Sequence, residues 1–273
     1  MRFFIPALFT LSLAGCIPAA RPVQAPLAPA AVAVVVPVPS PAPPAALNPA
    51  RAGARTVSGI VFEGVAFDSR DYRLVVVDQA NGPGSLFADA AAAARTRGGV
   101  AALNAGFFTP EGAPLGLVVS SGKSSGSWNS ASSLGGGVWH ENSSGNSSIS
   151  RREILGRNGA AGMRELIQAG PLLVENGRAV GGLEPTKSSA RSVVIWDGGT
   201  RWWLGCSSPC TLAALGQALA SGQPGGFQVR QALNLDGGRS SDLWISDAIP
   251  GGPILRRPPW NRPVRNFLVL VGR

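Results

Sequence analysis

Between Phe227 and Leu235 apolar residues recur with the two-residue period of a strand, and the run then breaks into Asp236-Gly237-Gly238-Arg239-Ser240-Ser241. No other stretch limits the fold as much. A carboxylate at the end of an extended segment is followed at once by backbone that only glycine lets fold so tightly. Asp-Gly is also a strong hairpin signal, so a plain tight turn fits the local residues as well. Two serine hydroxyls and the Arg239 cation follow.

The chain begins with a targeting signature. Arg2 precedes an apolar run, Phe3–Ala14, too short to span a bilayer. The run ends in Leu13-Ala14-Gly15-Cys16. That ending resembles a bacterial lipobox, which implies cleavage before Cys16 and lipidation of its thiol; the other reading is an ordinary secretory signal with Cys16 left free. Residues 1–16 are therefore expected to be a signal peptide. From Ile17 to about Ala54 the chain is almost wholly Ala, Pro and Val. Proline at that density blocks helices and keeps the chain extended, so residues 17–54 read as a tether. Residues 55–273 are long enough to bury one core as a single domain.

A net charge of +9 would suit nucleic acid if it formed stripes with interleaved aromatics, but the arginines are scattered and the expected address lies outside the cytoplasm. Anionic glycans, phosphate esters and a membrane surface are the expected partners, and nucleic acid is not. With Cys16 acylated, Cys206 and Cys210 remain in Cys-Ser-Ser-Pro-Cys. Export favours a local disulfide between them. A metal would need further soft ligands, and this chain offers only His140. No cofactor is predicted, and the residues leave a divalent metal open.

Strand signals outnumber helix signals. Val57–Phe67 and Tyr72–Asp78 read as a hairpin around Ser69-Arg70-Asp71. Leu86–Arg97 reads as a helix stopped by Gly98-Gly99, and Thr211–Ala220 as a second with Thr211 as N-cap. Val100–Leu103 and Leu115–Val119 are strands, and Ser120–Ser133 a mobile Ser/Gly-rich loop. Leu172–Val174 pairs with Arg178–Val180 across Asn176-Gly177, and Ser192–Trp196 with Trp202–Cys206 across Asp197-Gly198-Gly199. Arg265–Val271 closes the domain. Together these predict an α+β fold, a single domain on a mixed, hairpin-rich β-sheet with a few flanking helices. Gly122-Lys-Ser-Ser-Gly126 matches a nucleophile-elbow pattern by chance, because the stretch after it is Ser/Gly/Asn-rich rather than helical.

Four stretches share one form, a strand ending in polar or glycine-rich residues: Asn104-Ala-Gly-Phe-Phe108, Gln168-Ala-Gly-Pro-Leu172, Ser188-Ser-Ala-Arg191 and Asn234-Leu-Asp-Gly-Gly238. In this order and spacing they resemble the phosphodiester glycosidase family, whose bacterial members are tied to exopolysaccharides. Asn261-Arg-Pro-Val-Arg-Asn266 also resembles the approach to that family's last strand. The resemblance spans Val57–Val271 and departs from the pattern at Arg239, where a third glycine is usual, and before Arg191. It implies hydrolysis of a sugar-1-phosphodiester, releasing a sugar and a phosphate ester. A glycan-binding lipoprotein without activity is the alternative.

The chemistry is arguable from residue types. A phosphate monoester is a weak base, so protonating this leaving group matters less than in ordinary glycosidases with two working carboxylates. The site needs a cation for the phosphate and a carboxylate at the anomeric carbon. Arg191 suits the first with its planar fork, and Asp236 the second, as nucleophile, as base for water or as a ligand for a hydroxyl. Asn104 and Asn234 can bond hydroxyls or an acetamido group. Gly106, Gly237 and Gly238 let backbone N–H groups approach, Phe107 offers a platform, and Ser240 and Ser241 supply hydroxyls. Glu184 and Glu111 are reserve carboxylates. An outer-membrane lipoprotein facing the periplasm is the expected setting.

Overall fold

The structure, a computed structural model, describes residues 49–273. The signal segment, Cys16 and nearly all of the expected tether lie outside the described residues.

Strand β1 (Arg51–Val57) pairs with β2 (Ile60–Asp68) through a turn in which Ser58 and Gly59 both have positive φ. The folded chain therefore starts inside what the composition assigns to the tether. β3 (Tyr72–Asp78) leads to helix α1 (Ala90–Thr96), capped by Asp89, whose carboxylate accepts the Ala92 N–H at 2.8 Å. The helix is shorter than Leu86–Arg97. Gln79, fully buried, accepts the Leu86 and Phe87 N–H groups and holds that stretch out of the helix. Then follow β4 (Ala101–Asn104), β5 (Val118–Ser120), β6 (Lys123–Ser125), β7 (Gly137–Glu141), β8 (Ser147–Arg151), α2 (Arg152–Gly159) and β9 (Glu165–Ala169). The second half comprises β10 (Leu172–Glu175), β11 (Arg178–Ala179), β12 (Ser189–Trp196), β13 (Arg201–Cys210), α3 (Leu212–Ser221), β14 (Gln231–Asn234), β15 (Leu243–Ile245), β16 (Ile254–Arg256) and β17 (Asn266–Gly272).

These strands form three sheets: β1-β2-β13-β12-β14-β10-β11, β16-β15-β4-β17-β3 and β6-β5-β9-β7-β8. The expected α+β class and single domain fit, but every pairing between the named strands is antiparallel, so three antiparallel sheets replace the expected one mixed sheet. The main core is shared by all three, with Phe67, Leu204 and Leu233 from the first, Leu103 and Leu268 from the second, and Trp139 and Ile167 from the third. The outer face of the seven-stranded sheet packs on α3, and that of the β4 sheet on α1. These residues are near-fully buried, each worth roughly 1.5–3 kcal/mol in transfer from water.

Several local readings hold. β10 and β11 pair across Asn176 (φ 51°) and Gly177 (φ 79°), and β12 pairs with β13 from Trp196↔Trp202 onward. Thr211 Oγ1 caps α3 by accepting the Ala214 N–H at 3.1 Å. Others fail. The Asp68–Asp71 turn forms, with the Arg70 N–H on Asp68 Oδ1, yet β2 and β3 go to different sheets rather than to one hairpin. Ser120–Ser133 is not all loop, because β6 returns along β5 across Ser121 and Gly122.

The expected disulfide is absent: Cys206 and Cys210 are both free and buried. Both lie on the one strand β13. Residues four apart on extended backbone are separated by roughly 13 Å, whereas a disulfide needs Cα atoms within about 7 Å. Burial instead pushes the Cys206 thiol up to about 12.

Candidate active site at the ends of β4 and β14

The four motifs converge on one end of the main core. β4 and β14 run to that end and stop at Asn104 and Asn234, each almost wholly buried. The strands then release their chains into loops that bind each other through the backbone. The Asp236 N–H donates to the Ala105 carbonyl at 2.8 Å, and the Ala105 N–H donates to that of Asn266 at 3.1 Å. Asn234 donates its N–H to the Pro171 carbonyl and its Nδ2 to that of Gly170, which brings in the second motif. The third arrives through Gly237. A Cβ there would lie 2.6 Å from the Ala190 carbonyl oxygen, so only glycine lets the Asp236 turn rest against β12. Gly238 follows with φ 59°.

Asp236 is 9% exposed, and burial raises its pKa from the ordinary aspartate value. The Ser240 hydroxyl, the Gly237 N–H at 2.9 Å and the Arg262 charge act the other way. Arg262 is the cation beside Asp236. Its Nε donates to Ser240 Oγ at 3.3 Å, and its guanidinium lies 4.8 Å from the centre of the Phe108 ring. Such a stack fixes the side chain without neutralising it. Asn261 clamps the same turn from outside by donating Nδ2 to the carbonyls of Arg239 and Ser241, both at 3.0 Å. Arg239 is exposed, and its side chain makes no ion pair among the described residues, so the departure from glycine leaves the interior of the turn intact.

Arg191 stands differently from its expected role. Its backbone touches Gly237, but its guanidinium donates to the Lys187 carbonyl at 2.9 Å and reaches that of Cys210 at 3.5 Å. Burial lowers its pKa, and the nearest acidic influences are Cys210 and Glu184 rather than Asp236. It has no carboxylate within ion-pair distance among the described residues. A half-buried, unpaired guanidinium remains available to an anion, on the Lys187 side of the turn.

Asn104 is a strut and not a ligand contact. Its Nδ2 donates to the Asp236 carbonyl at 2.5 Å, and its Oδ1 accepts from Ser192 Oγ at 2.6 Å and the Asp242 N–H at 3.1 Å. Gly106 is likewise engaged, donating its N–H to Asn266 Oδ1 at 2.6 Å. Phe107 packs against the main core, whereas Phe108 faces Arg262. Glu184 accepts the N–H groups of Thr186 and Lys187 and shapes its own turn; Glu111 is exposed. Neither carboxylate hydrogen-bonds to the Asp236 turn among the described residues.

Arg262 and Asp242 also belong to the site, and the motifs single out neither. Arg262 had a signal, the dense Asn261–Asn266 run. Asp242 had none, since it lies beyond the motif. Its carboxyl accepts the Ala90 N–H at 3.1 Å, lies 3.6 Å from Arg257 and is pushed up to about 6 by burial. Four buried polar atoms around the turn have no protein partner: Asn234 Oδ1, Ser241 Oγ, Asp242 Oδ1 and Asn266 Nδ2. Buried polar groups are nearly always bonded, so this concentration fits a place where water or ligand completes the set. Next to it, a cleft of about 470 Å³ is lined by Ser207, Ser208, Ser241, Arg256 and Arg257.

Antiparallel sheets sharing one core, with a carboxylate–glycine turn at one end, define a class that sequence comparison identifies. The profile of the phosphodiester glycosidase family matches residues 97–271, and the chain belongs to that family. No curated protein matches the sequence. Among solved structures, the zebrafish N-acetylglucosamine-1-phosphodiester alpha-N-acetylglucosaminidase catalytic domain, described as auto-inhibited by its pro-peptide, superposes with a TM-score of 0.55 at 18% identity over 82% of each chain. A Synechocystis protein gives 0.55 at 18% identity over 81% of this chain and 61% of that one. An exported protein of Burkholderia pseudomallei K96243 gives 0.51 at 14% over 78% and 74%. At such identities the likeness establishes the fold.

Proposed function

We propose that this chain hydrolyses a glycosyl phosphodiester, releasing a sugar and a phosphate ester. The observation that carries the reading is Asp236, a nearly buried carboxylate at the end of β14 with Ser240 and Arg262 beside it. Burial sharpens its attraction to a developing oxocarbenium ion, because little solvent competes. The bond between the anomeric carbon and the phosphate oxygen breaks with its electron pair going to phosphate. Asp236 either attacks the anomeric carbon and yields to water afterwards, or takes a proton from the attacking water. Arg262 and Arg191 flank the turn and balance the phosphate charge, which grows as the bond breaks. The zebrafish enzyme's named substrate class fits this chemistry. Turnover of a panel of sugar-1-phosphodiesters tests the reading; glycan binding with no turnover on any member would favour a binding protein on the same fold.

The setting is the bacterial envelope, with the chain held by lipid on Cys16 and acting on glycans tied to exopolysaccharide. Cys16→Ser is expected to move the protein from membrane to soluble fractions. Unchanged membrane association in that variant would refute the anchor.

A further inference from the structure

A second cleft, of about 270 Å³, opens where the β3 sheet meets the β9 sheet. Three arginines line it, Arg73 on β3, the exposed Arg97 at the end of α1 and Arg164 just before β9. Asp236 and its neighbours are not among its lining residues. The floor is Glu165, 1% exposed, and the reason for a carboxylate there is structural. Strand β3 is the last strand of its sheet, and Glu165 Oε2 accepts the Val76 N–H at 2.9 Å while Oε1 accepts the Ser121 N–H at 3.3 Å. Ser120 Oγ completes the seam by donating to the Val76 carbonyl at 2.7 Å. Side chains thus do for that edge what a neighbouring strand would do.

Of the three cations only Arg164 acts on this floor, its charge favouring the ionised Glu165. Arg164 gives Nη2 to Glu141, and Arg273 also approaches Glu141, at 3.8 Å. Arg164 Nε is buried without any acceptor. Arg73 and Arg97 have no side-chain hydrogen bond or ion pair among the described residues, although three like charges around one small cleft repel each other. Burial, with Glu141 nearby, raises the Glu165 pKa, which weakens any repulsion the floor would offer an anion.

We infer that this cleft binds an oxyanion, a phosphate group, through Arg73, Arg97 and Arg164. Guanidinium forks match phosphate oxygens bidentately. The site is separate from the Asp236 turn and does not depend on the activity proposed there. It gives the protein a second hold on a phosphate-bearing glycan.

Titration calorimetry on the full chain tests this with inorganic phosphate and with hexose 1-phosphate as probes, on wild type, Arg73→Ala/Arg97→Ala and Asp236→Asn. The cleft predicts that the double variant weakens phosphate binding by roughly a hundredfold, about tenfold per guanidinium, while Asp236→Asn retains it. If only hexose 1-phosphate binds, with the same loss in the double variant, the phosphate must be carried on a sugar. Binding unchanged in the double variant, lost in Asp236→Asn, or absent from wild type for both probes would each overturn the inference. So would binding only to vesicles of phosphatidylglycerol. Arg164→Lys, with an unfolding midpoint close to wild type, guards against a misfolded variant: it keeps the charge, loses the fork, and is expected to weaken binding severalfold.

Discussion

The buried carboxyl of Asp242 gives a prediction whose size follows from its surroundings. It is 1% exposed, accepts one N–H from Ala90, has Arg257 at 3.6 Å and keeps Oδ1 without a partner. Its pKa is raised from 3.8 to about 6, chiefly by burial. Below the ordinary value the acid is protonated in both folded and unfolded chains and stability is unaffected. Between 3.8 and about 6 the unfolded chain releases its proton and the folded one retains it, so stability falls as pH rises. Above about 6 both are ionised, and the folded state carries a constant cost of about 3 kcal/mol. Asp242→Asn puts in place a neutral group of the same shape that can still accept from Ala90. The variant is expected to match wild type near pH 4 and to exceed it by about 1–3 kcal/mol near pH 8. Urea unfolding at a series of pH values measures this. An equal difference at both ends would show that the Asp242 pKa is not raised by folding, and a less stable variant near pH 8 that Arg257 outweighs burial; either refutes the reasoning.

Arg262→Ala removes the cation beside Asp236, which then ionises at higher pH; the acid limb of the kcat/KM profile is expected to move upward, with a larger activity loss near pH 5 than near pH 8. An unmoved limb would separate Arg262 from the carboxylate. Gly237→Ala drives a Cβ into the Ala190 carbonyl oxygen, and because that neighbour is backbone the turn must shift, at a cost of about 1–3 kcal/mol in urea unfolding together with loss of turnover.

What the sequence disclosed was chemistry carried within a few residues. Asn176-Gly177 names its own turn, Thr211 its own helix start, and Asp236-Gly237-Gly238 its own bend. Partner choice is a different matter. Ser69-Arg70-Asp71 signals a turn, but whether the strands on either side then pair depends on cores built from distant residues, and here they part. Cys206 and Cys210 read as a bridge by spacing and compartment, and only the strand beneath them keeps the sulfurs apart. The site divides in the same way. Residue type marks Asn104 as a possible sugar contact; its three internal hydrogen bonds mark it as a strut. Arg262 escaped because nothing local ties it to Asp236 across the chain. Both meet only once β14 and the approach to β17 are side by side.

The proposed hydrolysis requires Asp236 to act on the anomeric carbon. Single-turnover and binding measurements on Asp236→Asn, with a sugar-1-phosphodiester that wild type hydrolyses, probe that requirement. The amide keeps an oxygen to accept the Gly237 N–H, so the turn is retained while the charge is removed. Turnover is expected to fall by roughly a thousandfold or more with substrate affinity within a fewfold of wild type, as for an interaction realised mainly in the transition state. A folded variant that still turns over at close to the wild-type rate would contradict the claim and leave Asp236 as a residue of the turn alone.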